Sequence, residues 1–414
     1  MADVLETLKR RGFLQQVTDE ESLSRILASG PTTFYVGFDA TAPSLHAGSL
    51  VPIMAMAHLQ KAGHRPIALL GTGTTLIGDP SGKTESRPLL SKEEIARNKE
   101  GIRRNLERFL VLDGEKGLLL ENGAWLEPLN YLEFLREIGR HFSVNRMLAA
   151  EAYKIRMETG LSFLEFNYQV LQAYDFLVLY KEYGCKVQAG GDDQWGNMVA
   201  GVDLIRRVMG PEAKAEAMTF PLLTTASGAK MGKTEKGAVW LSPERFSPYD
   251  YYQFWINTDD RDVKRFLLLF TFLPEEEVEE LASLQGAEIR KAKEVLAFEA
   301  TRLLHGEEEA QKAREASRAL FGGGGKDTSR VPTCTLDPKE AQGEMDILTL
   351  FVRAGLCKSK SEARRLVLQG GAYVEGERVT DLEFLVDLSK LDSQNGILLR
   401  AGKKKYCRIL AAGG

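Results

Sequence analysis

The chain has 414 residues, more than one hydrophobic core usually serves, so two or three domains are expected. Hydrophobic residues are 43% and charged residues 27%, the balance of an ordinary globular chain, which excludes wholesale disorder. A formal net charge of −4 excludes a uniformly basic nucleic-acid binder, so any such surface must be a local patch.

The N-terminus, "MADVLETLKRRGFL", carries charges where a secretory signal needs an apolar core, and no apolar run is long enough to span a bilayer. A cytoplasmic protein is expected. Cys185, Cys334, Cys357 and Cys407 are scattered, with no C-x-x-C pair and no histidine at metal-ligand spacing, so they are read as free thiols with no dedicated metal site.

Phe34 to Asp39 is a run rich in aromatic and β-branched residues, the pattern of a buried strand. Leu50, Ile53, Met54 and Ala57 then recur at helical spacing, closing at Gly63, and Pro66 to Gly71 reads as a second strand. Strand, helix and strand in so short a span make a βαβ unit, hence a parallel sheet with a ligand crevice at the strand C-termini. Ser91 and Glu94 form a capping box before an amphipathic helix. A helix over Phe163 to Tyr183 leads to a strand, "CKVQAGG", and a further helix, "DDQWGNMVAGVDLIRR".

After about Ser242 strand signals fade, and Asp250 to Leu320 reads as helical. "FGGGGKDTSRVP" has four consecutive glycines, whose ordering is entropically costly, so it reads as a linker. From Met345 a compact tail holds a basic helix, a glycine turn and a short strand. No internal repeat is visible.

Two phosphate-loop patterns fail on inspection. "GDPSGKT", Gly78 to Thr84, has Ile77 where a Walker loop needs a glycine, and it sets Asp79 and Pro80 where phosphate oxygens would need amide donors. "GTGTTL", from Gly71, has Leu76 where a dinucleotide fingerprint needs its last glycine.

The stretch "YVGFDATAPSLHAGSLVP" crosses from the first strand into the helix. Pro52 lacks an amide proton and cannot lie deep in a helix, so the helix begins near Gly48 or Ser49. That places His46 and Gly48 at its N-terminus, where amides and the helix dipole attract anions. For a lone histidine, a solvated loop residue beside a helix capped by Ser49 is the commoner arrangement. On the helix of Phe163 to Tyr183, Tyr168, Gln172 and Asp175 fall at i, i+4 and i+7, a polar stripe that needs either a ligand or an internal hydrogen-bond network.

"HAGS" resembles the His-Ile-Gly-His signature of class I aminoacyl-tRNA synthetases, and "KMGKT", Lys230 to Thr234, resembles their Lys-Met-Ser-Lys-Ser signature. With "LIGDPSGKT", "FNYQVLQAYDF" and "GGDDQWGN", the ordered set resembles the bacterial tyrosyl-tRNA synthetases over nearly the whole chain. Ser49 stands in place of the second signature histidine, and Gly232 and Thr234 in place of two serines.

The resemblance implies a Rossmann-like catalytic domain over 1–245 with a lysine loop near 226–236. It further implies a helical anticodon-binding domain over 246–321, a flexible linker over 322–344 and an α+β S4-like RNA-binding domain over 345–414. It implies that L-tyrosine is activated with ATP to tyrosyl adenylate and passed to the 3′ end of tRNA(Tyr), with Mg2+ carried by ATP, in a homodimer.

Tyr35 and Asp175 would meet the phenol hydroxyl, Tyr168, Gln172 and Asp79 the ammonium group, with Gln188 and Gln194 completing the tyrosine site. Gly37, Asp39, His46, Gly48, Ser49, Gly191, Asp193 and Lys233 would hold ATP, and Thr41, His46, Lys230, Lys233 and Thr234 would act on the phosphates. Trp195 is read as core, the commoner role of an indole. In the tail, Lys358, Lys360, Arg364 and Arg365 on one helix and Lys403, Lys404 and Lys405 in a presumed strand are read as tRNA contacts, against the plainer reading of a solvated face. Tryptophanyl-tRNA synthetase is the nearest enzyme alternative. A related RNA-binding protein without catalysis is the alternative of another class.

Overall fold

The structure is a computed structural model describing residues 3–81, 89–226, 228, 231–234, 237–321, 332–337, 340, 343–389, 391, 396–402 and 405–411. The chain forms two compact units, residues 1–246 with 254–305, and residues 247–253 with 306–414.

The first unit is built on five parallel strands: β1 (Thr33–Asp39), β2 (Arg65–Gly71), β3 (Leu118–Glu121), β4 (Cys185–Gly191) and β5 (Glu216–Phe220). Their order is β3-β2-β1-β4-β5, so the winding reverses between β1 and β4. A crevice opens at such a reversal because the connections leave in opposite directions, and ligands of doubly wound sheets bind there. The expected α/β class with a Rossmann-like parallel sheet is the architecture found.

The helices needed below are α1 (Val4–Arg10), α2 (Glu20–Ala28), α3 (Leu50–Lys61), α4 (Lys92–Leu106), α5 (Tyr168–Tyr183) and α6 (Trp195–Met209). Ser91 and Glu94 close the predicted capping box on α4. The core on one sheet face joins Tyr35, Ile67 and Leu69 to Ala173, Phe176 and Leu177 of α5 and to Met198, Val202 and Ile205 of α6. The helix expected over Phe163 to Tyr183 is divided. A short turn, Phe163–Phe166, carries its own capping box from Ser162 and Glu165, and α5 starts anew after Asn167.

In the second unit, a sheet runs in the order Glu377–Val379, Ala372–Val374, Ile397–Ala401, Lys405–Ala411 and Thr333–Leu336. Helices Ile347–Arg353 and Lys360–Leu368 share its core through Ile347, Leu350, Phe351 and Val367, against Leu399 and Ile409. Thr333–Leu336 lies inside the stretch read as linker, yet it pairs in parallel with Arg408 to Ala411. The four glycines lie outside the described residues.

Candidate active site

A cavity of about 650 Å³ lies at the C-terminal ends of β1 and β4, where the sheet reverses. The parallel register sends Tyr35, Gly37 and Asp39 of β1 and Gln188 of β4 to its floor. The stripe on α5 faces it as the spacing predicted, with Tyr168, Gln172 and Asp175 all on its wall.

At the closed end, Tyr35, Asp175 and Gln188 are buried. Asp175 accepts from Asn122 Nδ2 at 2.9 Å and from Trp125 Nε1 at 2.7 Å. Burial nevertheless pushes its carboxyl up to about 7, because two donors only partly replace the lost hydration. Tyr35 Oη and Gln188 Oε1 are sealed from solvent without a hydrogen-bond partner. Each unmet group of this kind costs roughly 1–3 kcal/mol, so two beside a buried carboxylate mark a place where a ligand supplies the missing partners.

Further out the polar groups are tied to one another. Asp79 Oδ1 accepts the Ser81 amide at 2.9 Å and its Oδ2 accepts Gln194 Nε2 at 2.8 Å. Asn197 Nδ2 donates to Gln172 Oε1 at 2.9 Å and more weakly to Gln194 Oε1 at 3.3 Å. The Tyr168 hydroxyl donates to Asp39 Oδ2 at 3.0 Å, and Thr74 Oγ1 donates to Asp39 Oδ1 at 2.8 Å. The carboxylates of Asp39, Asp79 and Asp175 thus border one cavity, a surrounding suited to a cation at that end. Asp79, the residue that spoils the Walker pattern, is buried on this wall with its carboxylate held by the Ser81 amide and Gln194. The "GTGTT" glycines are structural too, since a Cβ on Gly71 would lie 2.1 Å from Asp39 Oδ1.

The mouth is formed where the two signatures touch. His46 Nδ1 accepts the Gly48 amide at 3.0 Å, so a neutral ring carries its proton on Nε2. His46 caps this turn, whereas Ser49 makes no side-chain cap at α3, contrary to the plainer sequence reading. Ala47 donates its amide to Val239 O at 2.8 Å, and Val239 donates to Gly232 O at 2.9 Å. Gly232 sits at φ 79°, and a Cβ there would lie 2.5 Å from the Gly48 nitrogen. A serine at this place would have to displace backbone, which accounts for glycine in the second signature. Thr41, Ser49, Gly191 and Asp193 also line the cavity. Lys230 and the side chains of Lys233 and Thr234 lie outside the described residues.

Asn122, Trp125, Asn197 and Thr74 escaped the sequence reading. A single asparagine or tryptophan carries no chemical signature until the fold sets it beside a carboxylate. Trp195 is a correction: it is half-buried at the start of α6 and borders a separate cavity of about 190 Å³ with Phe142 and Arg146. Its position at the helix start, ahead of the apolar stripe of α6, keeps it out of the core.

In the second unit, Lys358, Lys360, Arg364 and Arg365 are all exposed. Ser359 caps their helix, accepting the Glu362 amide, while the Glu362 carboxylate accepts the Lys358 amide at 2.6 Å. The one acid among these bases is turned to the backbone. Lys405 is half-buried in a strand, and Lys403 and Lys404 lie outside the described residues.

A switch-point cavity closed by two touching signatures is the hallmark of one class of ligase, and comparison with known families agrees. The profile for "tRNA synthetases class I (W and Y)" matches residues 27–322, and the chain belongs to that family. Its place within the family follows from the tail and the whole-chain relatives. The profile "Tyrosine--tRNA ligase SYY-like C-terminal domain" matches residues 326–409. The tyrosine–tRNA ligase of Desulfatibacillum aliphaticivorans is 53% identical over 99% of this chain and 98% of its own length. That of Caldanaerobacter subterraneus subsp. tengcongensis is 54% identical over 98% and 99%. A C-terminally truncated mitochondrial tyrosyl-tRNA synthetase of Aspergillus nidulans superposes with a TM-score of 0.69 at 31% identity, covering 78% of this chain and 95% of its own. The chain therefore stands among the tyrosine–tRNA ligases, enzymes with ATP as a substrate.

Proposed function

We propose that the cavity activates L-tyrosine with ATP and that the product is passed to tRNA(Tyr). The observation that carries the residue assignment is the pair of unpartnered buried atoms, Tyr35 Oη and Gln188 Oε1, beside Asp175. A phenol reaching the closed end would donate a hydrogen bond to Asp175 and meet Tyr35. Asp79, Tyr168 and Gln172 would hold the ammonium group, with Gln194 between amino acid and adenylate.

The tyrosine carboxylate attacks the α-phosphorus of ATP; the bond to the bridging oxygen breaks and pyrophosphate leaves. A carboxylate is already nucleophilic at neutral pH, so the chain supplies position and charge stabilisation and no general base. The His46 Nε2–H is read as a donor for the phosphates, with Thr41, Lys230, Lys233 and Thr234 of the two signatures, the amides of Ala47, Gly48 and Ser49 being already bonded within the turn and to Val239, and Mg2+ is read as arriving with ATP. Gly37, Asp39, Ser49, Gly191 and Asp193 would line the nucleotide, Asp193 meeting ribose hydroxyls. In the second step a hydroxyl of the tRNA 3′-terminal ribose attacks the tyrosyl carbonyl, AMP leaves, and the tyrosyl ester remains on the tRNA.

The basic helix of the second unit is read as the phosphate-binding surface for tRNA. The helical residues 246–321 are read as the anticodon-binding part. A homodimer is supported by Tyr131, Leu132, Val144 and Phe163, apolar side chains that are 58%, 74%, 56% and 70% exposed in a single chain. Among the described residues no helix is long and apolar enough to cross a membrane, and the four cysteines form no disulfide; a cytoplasmic setting is read from the family.

ATP–pyrophosphate exchange measured with each of the twenty amino acids tests the reading. Tyrosine alone should support rapid exchange. Equal exchange with tryptophan or phenylalanine would overturn the assignment of the closed end.

A further inference from the structure

The segment between α1 and α2 does more than connect them. The Gln15 amide donates to Thr219 O at 2.9 Å, Thr219 returns a bond to Gln16 O at 2.8 Å, and Thr18 donates to Ala217 O at 3.0 Å. Val17 pairs with Met218 in an antiparallel bridge. Residues 15–18 thus cover the open edge of β5, which otherwise presents unpaired backbone groups. From this edge Gln16 Nε2 reaches Asp192 Oδ1 at 2.7 Å. Thr219 Oγ1 donates to the same oxygen at 2.7 Å while accepting the Gln16 amide at 3.0 Å.

Asp192 opens the tight turn Asp192–Gln194 that ends β4 and starts α6. Its two successors, Asp193 and Gln194, line the cavity, whereas Asp192 does not. One side of the turn faces the nucleotide mouth and the other is anchored to the N-terminal segment. Two donors on one carboxylate oxygen fix the rotation of the turn about the strand end. A turn held this way costs little to order when a nucleotide arrives at Asp193.

We propose that Gln16 is a positioning residue for the nucleotide half of the reaction: through Asp192 it sets the turn that presents Asp193 to the ribose. The proposal rests on the reading of Asp193 as a ribose contact. It predicts a defect that falls mainly on ATP, with a smaller one in tyrosine binding through Gln194, the one tyrosine-facing group that this turn carries.

The test uses the full-length enzyme in pyrophosphate exchange with ATP and with 2′-deoxy-ATP and 3′-deoxy-ATP. Gln16→Glu faces Asp192 with a like charge and Gln16→Ala removes the donor. Each should raise the KM for ATP about tenfold, the worth of one charge-assisted hydrogen bond, with kcat changed less than KM. The dissociation constant of tyrosine should move less than about twofold. The double variant Gln16→Glu with Asp192→Asn restores a donor–acceptor pair in reverse and should recover most of the loss, a coupling that a general loss of stability would not give.

The deoxynucleotides separate the two readings. Wild-type enzyme that accepts them as well as ATP would overturn the ribose assignment, while the KM of the Gln16 variants would still decide the positioning role. Wild-type discrimination that persists unchanged in Gln16→Glu, with an unchanged KM for ATP, would overturn the proposal. So would parallel losses of tyrosine and ATP affinity without recovery in the double variant.

Discussion

In the cavity, Tyr35, Asp175 and Gln188 are each 2% exposed, whereas Lys358, Lys360, Arg364 and Arg365 of the second unit stand in solvent. The buried set gains selectivity from cost: groups out of water stay unpaired unless the right ligand completes them. The exposed set pays no desolvation penalty, and read as a phosphate-backbone surface it would respond to charge alone and give little discrimination. Amino-acid identity is therefore expected to depend on single atoms at the sheet's switch point, and tRNA affinity on the number of cations in the tail.

The largest effect should come from breaking the buried set. Tyr35→Phe combined with Asp175→Asn removes the partners of the phenol, and the preference for tyrosine over phenylalanine in exchange kinetics should collapse. The general figure for such sites, itself based on tyrosyl-tRNA synthetases, is about 10⁴ to 10⁵. A double variant that kept its preference would move recognition elsewhere.

A smaller effect is expected in the tail. Replacing Lys358, Lys360, Arg364 and Arg365 by alanine should weaken aminoacylation roughly tenfold to a hundredfold at moderate salt. It should flatten the dependence of KM for tRNA on salt by up to about four counterions, and leave exchange alone. An unchanged salt slope would show that these cations do not meet phosphate.

The smallest expected effect is a pH shift. Ligand-free Asp175 titrates at about 7, and only its carboxylate accepts the phenol's hydrogen bond, so tyrosine binding should weaken as pH falls below that value. The Trp125 hydrogen bond favours the carboxylate, so Trp125→Phe should raise this pKa and move the acid limb upward by about one unit. Equilibrium dialysis of tyrosine across the neutral range, with phenylalanine as the control that has no phenol proton, gives both curves. A limb that stays in place in Trp125→Phe would contradict the assignment.

The two regions also differ in how far they can be read from sequence. Tyr168, Gln172 and Asp175 are legible as a polar stripe because one helix sets their spacing, whereas Asp79 enters the site only through the family resemblance, its charge alone serving to reject a phosphate loop. The basic helix is legible because charge needs no partner to be seen. Asn122, Trp125 and Asn197 are not, since their meaning comes from contacts across 53, 50 and 25 residues of chain. Gln16 meets Asp192 across 176 residues, and Thr333–Leu336 becomes a strand only through pairing near the far end of the chain. Local periodicity carries none of that information. The parallel sheet was accessible in outline because α3 and α6 each follow a buried strand, but its strand order was not. The short edge strands β3 and β5 give too little pattern to be seen.

The division of labour between the two regions is tested most directly by ending the chain after Gly325 and measuring both half-reactions on one preparation. Tyrosine-dependent ATP–pyrophosphate exchange should remain near the full-length rate, while transfer to tRNA should fall by roughly a hundredfold at moderate salt and partly return at low salt. Full transfer activity in moderate salt, or exchange lost in step with transfer, would contradict the account.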